Sequence, residues 1–190
     1  TPVRRGWQVW DIGIPNRKGS EFFKGESYWD PQIPLEYARL FHDDVNFIVG
    51  RSDFRRDWFF QHVPHNGNPD AKPEPYRGIR SEGRATPFSV TFNLPEAPRG
   101  VGTLRLAICG TGASELAIVV NDQPAGTIAL PRGDGAITRH ARQGLWYERE
   151  HAIDASLLKA VTNVLKIIVP AGPINNGILS DYVRLELAER

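Results

Sequence analysis

Residues 103–121, TLRLAICGTGASELAIVVN, contain two runs in which apolar side chains recur at every second position. The first run is TLRLAI (103–108), and the second is ELAIVVN (115–121). Alternation with a period of two is the pattern of a β-strand that buries one face. Glycine, serine and asparagine bound the two runs, as they bound strands in turn-rich proteins. The stretch therefore predicts two strands separated by a short connection.

The same pattern recurs on both sides of this stretch. Together the runs amount to about ten strands with regular turn signals, which is typical of a sandwich or jelly roll. Residues 154–160, DASLLKA, predict one short helical turn with Asp154 as its N-cap. We therefore expect an all-β jelly-roll β-sandwich, as a single domain over residues 1–190. The further candidate strands are residues 7–13, 46–50, 58–63, 88–94, 126–130, 147–153, 163–169 and 180–187.

Two stretches break the strand pattern and predict long loops. Residues 15–44 are rich in proline, aromatic and charged residues, and residues 63–87 contain five prolines among glycine and polar residues. Long loops in a compact domain commonly carry function. Residues 52–67, SDFRRDWFFQHVPHNG, are interpreted as a core strand that leads into the second loop.

Composition narrows the classes of partner. The chain has 190 residues and a formal net charge of +1, so no global field favours nucleic acid or an anionic membrane. No apolar run approaches the roughly 20 residues that span a bilayer. Cys109 is the only cysteine, so no internal disulfide can form, and its apolar setting predicts a small buried side chain. A chain that begins at Thr1 and lacks methionine indicates a processed protein or part of a longer one.

The segment RQGLWY (142–147) combines a cation and two aromatic side chains just before a predicted strand. Aromatic rings offer flat apolar faces for the C–H faces of sugars, and arginine binds carboxylates bidentately. Arg142, Trp146 and Tyr147 are therefore candidate ligand-binding residues. A core position for Trp146 is the alternative interpretation.

Three other segments contribute candidates. Asn175 and Asn176 carry amides that donate and accept, as sugar hydroxyls require, although asparagine is also a common turn residue. Arg56 could bind an acidic sugar or form a surface ion pair. His65 follows a proline in the second loop, where we expect solvent exposure and a hydrogen bond to a sugar hydroxyl. His62 and His65 alone are too few for a zinc site.

Catalytic signatures are weak. The sequence lacks the nucleophile-elbow, zinc-protease and phosphate-loop motifs. Uronate β-elimination needs a base and a cation, but no spacing singles out such a set. An autonomous enzyme and a structural interaction domain both stay open as alternatives to a binding module.

Five segments, in order along the chain, resemble the C-terminal domain of the rhamnogalacturonan lyases of polysaccharide lyase family 4. Departures from the family pattern are Val161 in place of a frequent glycine, Asp122 in an Asn-Gly turn, and Ser180 in place of tyrosine. The segments are GWQVWDIGIPNRKGSEF (6–22), NFIVGRSDFRRDWFFQH (46–62), LAIVVNDQPAG (116–126), IDASLLKAVTNVLKIIV (153–169) and GILSDYVRLEL (177–187).

This resemblance implies a galactose-binding-like sandwich that binds a plant cell-wall polysaccharide, rhamnogalacturonan or pectin. In that family the lyase chemistry belongs to a separate upstream catalytic domain, and the proteins are secreted or periplasmic. Related jelly rolls often hold a structural calcium ion, which needs six to eight oxygen ligands. Glu21 and Asp181 are the carboxylates that we expect to supply such ligands.

Overall fold

The computed structural model describes residues 6–30, 33–68, 82–131, 133–134, 136–139, 144–174 and 176–188. None of the helices in these ranges is long and apolar enough to cross a membrane. The strands are β1 (Trp7–Gly13), β2 (Val45–Ile48), β3 (Gln61–His62), β4 (Glu82–Gly83), β5 (Thr86–Leu94), β6 (Val101–Thr111), β7 (Glu115–Val120), β8 (Gln123–Ala129), β9 (Tyr147–Asp154), β10 (Val161–Val169), β11 (Gly172–Pro173) and β12 (Ile178–Leu187).

Two five-stranded sheets form a sandwich, which confirms the predicted all-β architecture. The first sheet has the order β1-β12-β6-β9, with β3 also paired to β12, and the second has the order β2-β5-β10-β7-β8. All pairs are antiparallel except β2 with β5. The short strands β4 and β11 form a separate two-stranded ribbon.

The core lies between the two sheets, where the alternating apolar positions meet. Leu104, Leu106 and Ile108 of β6 face Leu116 and Ile118 of β7 within one buried cluster. Because alternate residues of β5, β7 and β10 join this cluster, the two-residue period of these strands in the sequence reflects burial on one face. Cys109 is fully buried, as predicted, and burial raises the pKa of its thiol.

The strand directions place the long connections at one end of the sandwich. β1 and β6 end there, and β9 and β12 begin there, as their antiparallel pairings require. The segments 14–44 and 144–146 therefore leave or enter the first sheet at the same end. We call it the loop end. The opposite end carries the start of β1, the end of β12 and the short link 95–100, and we call it the terminal end.

The longest helix lies in a stretch that the sequence predicted to be a loop. Helix α1 (Ile33–Leu40) buries Ile33, Pro34, Tyr37 and Ala38, and the prediction of a single short helix was therefore wrong. The helical turn predicted over 154–160 is a 3-10 turn, Ala155–Leu157, and Asp154 caps it by accepting from Ser156 N at 2.9 Å.

The aromatic stretch at residues 58–63 was predicted to be a strand and is mostly not one. The one-turn helix α2 (Phe54–Asp57) precedes it, and only its last part forms the two-residue strand β3. Trp58, Phe59 and Phe60 are all buried, so the stretch belongs to the core as predicted. A third helical turn, α3 (Ala136–Arg139), contacts β6 at the loop end.

Candidate functional site

Trp146 lies at the loop end, immediately before β9, and its indole is anchored from below. Its Nε1–H donates to Asp181 Oδ2 at 2.8 Å. Asp181 is fully buried on β12, at an irregularity where the pairing with β6 passes from Ser180 to Tyr182. Such a bulge re-aims a side chain, and here it directs the carboxylate toward the loop end.

The loop that follows β1 wraps around the same carboxylate. Asp181 Oδ1 accepts from the backbone N–H groups of Asn16 and Arg17, at 3.0 and 2.9 Å. Gly13 allows this approach because its φ is +95° and a Cβ there would meet Asp181 O at 2.5 Å. The side chain of Asn16 closes the turn by accepting from Lys18 N at 3.0 Å.

The buried carboxylate of Asp181 has a pKa on which burial and hydrogen bonding act in opposite directions. Burial raises its pKa, while the N–H donors of Trp146, Asn16, Arg17 and Lys18 favour the ionised form and oppose the rise. Three hydrogen bonds from two chain segments, the loop after β1 and the segment before β9, converge on this side chain and join that loop to Trp146.

Arg17 covers one face of the Trp146 ring. The guanidinium carbon lies 5.0 Å from the ring centroid, in a cation–π contact. Among the described residues Arg17 has no carboxylate partner, and its side chain is exposed. No described carboxylate pairs with its guanidinium, so Arg17 can bind a planar anion bidentately.

Asp134 fixes the segment that leads into Trp146. Its carboxylate accepts from Ala136 N at 2.8 Å and from Leu145 N at 2.7 Å. The Leu145 side chain is 63% exposed beside Trp146, and Ile14 is 39% exposed on the loop that carries Arg17.

The surface around Trp146 and Arg17 therefore offers apolar contacts next to a cation. We call these two residues the Trp146–Arg17 site.

Tyr147 adjoins Trp146 in sequence but turns into the sandwich. It packs against the core, its hydroxyl is buried, and burial raises its pKa to about 12. Arg149 lies over its ring at 4.9 Å. Arg142, the third candidate of this segment, lies outside the described residues.

The remaining ligand candidates do not gather around Trp146. Arg56 is exposed on α2 and pairs with Asp57 at 2.7 Å, and Asn176 is half-buried beside Gly172. Asn175 lies outside the described residues. The described contacts do not connect Arg56 or Asn176 to Trp146, and a ligand role for each stays a prediction.

The expectation that His65 is exposed to solvent was wrong. His65 is 8% exposed, its Nε2 donates to Phe41 O at 3.2 Å, and its ring packs edge-on against Tyr37. Burial lowers its pKa. The loop that carries it folds back onto α1, a tertiary contact that local sequence does not reveal.

The carboxylates predicted to hold calcium have other partners. Both oxygens of Asp181 accept N–H groups, and Glu21 accepts from the side-chain amide of Asn16. Within the described ranges, no group of three or more His, Cys, Asp or Glu side chains could hold a metal ion. N–H donors repel a cation, so this arrangement does not fit a calcium ion at Asp181. Calcium binding by the protein stays a prediction.

Sequence reasoning missed Arg17 and the role of Asp181 as an anchor. Arg17 stands in the segment IPNRKG, where only its place in a loop after a strand could have drawn attention. Its partner Trp146 comes from a different connection, and only the antiparallel packing of β1, β12, β6 and β9 brings the two together.

The fold defines a β-sandwich domain whose long loops gather at one end. A family profile described as "CBM-like: Polysaccharide lyase family 4, domain III" matches residues 8–185. The chain belongs to this family and is thus a domain of the carbohydrate-binding type. Comparison with curated proteins gives no significant match.

Solved structures with detectable similarity include carbohydrate-binding modules. A family 35 module from Clostridium thermocellum is 21% identical over 62% of this chain and 85% of that chain, with a TM-score of 0.41. A family 35 module from an environmental isolate is 23% identical over 61% of this chain and 79% of that chain, with a TM-score of 0.36. The CBM36-1 domain of a multidomain xylanase from the hindgut metagenome of Trinervitermes trinervoides is 14% identical over 66% of this chain and 93% of that chain, with a TM-score of 0.38.

Proposed function

We propose that this domain binds carboxylated plant cell-wall polysaccharide, rhamnogalacturonan or pectin, at the Trp146–Arg17 site and does not itself cleave it. The observation that carries the proposal is the guanidinium of Arg17, which lies over an anchored indole without a carboxylate partner among the described residues. A uronate presents both a carboxylate and an apolar C–H face to such a pair.

The recognition works through two contacts of different chemistry. The N–H edge of Arg17 binds the uronate carboxylate, and the sugar ring lies along the indole edge and the exposed Leu145 side chain. Asp181 stays beneath the site as a positioning residue, because its hydrogen bonds fix both the indole and the backbone of Arg17. A pre-formed pair loses little conformational entropy on binding.

The proposal includes the setting of the domain. A binding domain of this family serves a polysaccharide-active enzyme by holding a separate, upstream catalytic domain near its polymer. We place the protein outside the cytoplasm, secreted or periplasmic, where such polymers occur. Both statements rest on family membership.

The test is a calorimetric titration of the domain with rhamnogalacturonan I and homogalacturonan oligosaccharides, followed by a reading of unsaturated-uronate absorbance in each mixture. We expect saturable heat without new absorbance. Trp146→Ala should weaken binding about tenfold or more, since it removes the apolar surface and the support for Arg17.

Trp29→Ala is the matched control, because Trp29 is 73% exposed in the segment between β1 and α1. It should bind like the wild type. New absorbance would contradict the non-catalytic proposal. The proposed site would be contradicted if neither binding heat nor new absorbance were observed. It would also be contradicted if the wild type and Trp146→Ala bound with equal affinity.

A further inference from the structure

A concave surface lies at the terminal end, opposite the Trp146–Arg17 site. It is an open groove of about 600 Å³, within the size range of ligand pockets. Trp7 at the start of β1 and the link 95–100 between β5 and β6 form its walls. Leu187 at the end of β12 and Leu94, both nearly fully buried, contribute its apolar floor.

The groove combines an accessible indole with an accessible cation. Trp7 is 40% exposed, although it pairs with Leu187 in the first sheet. Arg99 is exposed and has no ion-pair partner among the described residues. Among the described residues, Glu96 lines the same groove but forms no ion pair with Arg99, so the guanidinium can still bind an anionic ligand.

The backbone of the groove is restricted before any ligand arrives. Pro95 and Pro98 fix two φ angles in the link that carries Arg99, and Gly100 closes the link with a φ of +82°. β1 and β12 hold Trp7 from the other side through their antiparallel ladder. Restricted walls lower the entropy lost when a ligand is ordered.

We propose that this groove is a second carbohydrate-binding site, and that it takes a sugar ring bearing a carboxylate. The indole of Trp7 packs against the C–H face of the ring, and the guanidinium of Arg99 binds the carboxylate. The proposal rests on Trp7 and Arg99 alone and stands without the Trp146–Arg17 site.

The distance between the two sites means that only a long polysaccharide chain can contact both at once. β6 runs from one end of the sandwich to the other over 11 residues. At about 3.3 Å per residue the two ends are on the order of 35 Å apart. A short oligosaccharide therefore occupies one site at a time, whereas a long chain can reach both and gain apparent affinity without any new contact.

The test follows the indole N–H signals of ¹⁵N-labelled protein during titration with a galacturonate tetramer and with its methyl ester. Each of the five tryptophans gives its own signal, and Trp7→Phe and Trp146→Phe assign the two that matter. Buried Trp10 and Trp58 serve as internal references. We expect the Trp7 signal to shift saturably with the acid and at least about tenfold more weakly with the ester.

Arg99→Ala should lower the affinity read at Trp7 about tenfold and leave the response of Trp146 unchanged. Arg51→Ala is the matched control, since Arg51 is an exposed arginine in the turn after β2 and the variant removes the same charge away from the groove. It should leave the Trp7 response unchanged.

The two sites give separate readouts. A Trp7 signal that stays still while the Trp146 signal saturates would overturn the groove, as would an Arg99→Ala variant that responds like the wild type. A response at Trp7 without one at Trp146 would support the groove and overturn the Trp146–Arg17 site. No response at either would overturn both.

Discussion

At the scale of single residues, buried polar groups with defined partners organise the loop end. Asp181 accepts from an indole and from two backbone amides, so one side chain positions both members of the Trp146–Arg17 site. If this buried carboxylate no longer accepts, several N–H donors lose their hydrogen-bond partner at the same time.

Asp181→Asn tests this role. The substitution replaces one acceptor oxygen by an NH₂ group that faces other donors, so the free energy of unfolding should fall by about 1–3 kcal/mol. Asp122→Asn is the control, since Asp122 is exposed and pairs with Lys166 at the surface; its stability should stay close to that of the wild type. Urea unfolding measures both. A variant as stable as the wild type would contradict the anchoring role of Asp181.

His62 predicts a pH dependence of stability. Its ring is fully buried, stacks on Phe88 at 3.7 Å and donates from Nε2 to Thr86 O at 2.7 Å. Burial lowers its pKa to about 3. The unfolded chain binds this proton near pH 6.5 and the folded chain only near pH 3, so stability falls as the pH drops below 6.5.

Urea unfolding between pH 7 and pH 5 checks the effect. His62 should contribute a loss of up to about 1.4 kcal/mol per pH unit below its unfolded pKa. His62→Gln keeps a donor but cannot titrate, so its profile should be flatter than that of the wild type. His42→Gln makes the same substitution at an exposed position and is the matched control. Equal slopes for His62→Gln and the wild type would contradict this account.

At the scale of elements, the first residue of β10 has a strained backbone conformation. Val161 has a φ of +66°, in the left-handed region that β-branched residues rarely adopt, and its side chain is 66% exposed. The chain is held there because the fully buried Asn163 accepts from Lys159 N at 2.9 Å and donates to Lys159 O at 2.8 Å. The left-handed backbone explains why the family pattern often has glycine at this position.

Val161→Gly should therefore stabilise the protein. Relief of about 1–3 kcal/mol of backbone strain exceeds the entropy that glycine adds to the unfolded chain, about 0.5–1 kcal/mol. We expect a net gain of about 1 kcal/mol by urea unfolding. Val101→Gly is the control, because Val101 is an exposed strand residue without a positive φ and should lose stability. Destabilisation in both variants would contradict the strain.

Strands and helices were predictable to different degrees. β5, β7 and β10 were predicted because each buries one face and its apolar residues alternate. β12 is buried at every position, but its apolar residues still alternate with polar ones such as Arg184 and Glu186, which form an ion pair with each other. Helix α1 was missed, although Ile33, Tyr37 and Phe41 follow a helical spacing, because prolines in the same stretch suggested a loop. Pro34 is tolerated because it lies in the first turn.

The aromatic run at 58–60 misled for a different reason. Its side chains are buried in different directions: the Trp58 ring meets Phe88 at 5.2 Å, and the Phe59 ring meets Tyr37 at 5.4 Å. A continuous apolar run does not distinguish a strand from an irregular buried segment, so hydrophobicity predicted the core position and failed to predict the backbone.

At the scale of the whole molecule, the sandwich separates two surfaces. The loop end gathers Arg17 and Trp146, while the terminal end holds Trp7 beside Arg99. Trp146 was a candidate from sequence because it stands with other polar and aromatic residues before a strand. The sequence does not identify Arg17, Trp7 or Arg99 as candidates. Each lies beside its partner only because particular strands end side by side in the folded sheet.

The most direct measurement of the central claim is the ratio of affinities for a galacturonate tetramer and its methyl ester, read at the indole N–H signal of Trp146 in the wild type and in Arg17→Ala. We expect the wild type to prefer the acid about tenfold or more, because a charge-assisted bidentate contact is lost in the ester. Arg17→Ala should bind both ligands equally and weakly. An acid preference that persists in Arg17→Ala, or a wild type without one, would contradict the assignment of Arg17 as the residue that recognises the carboxylate.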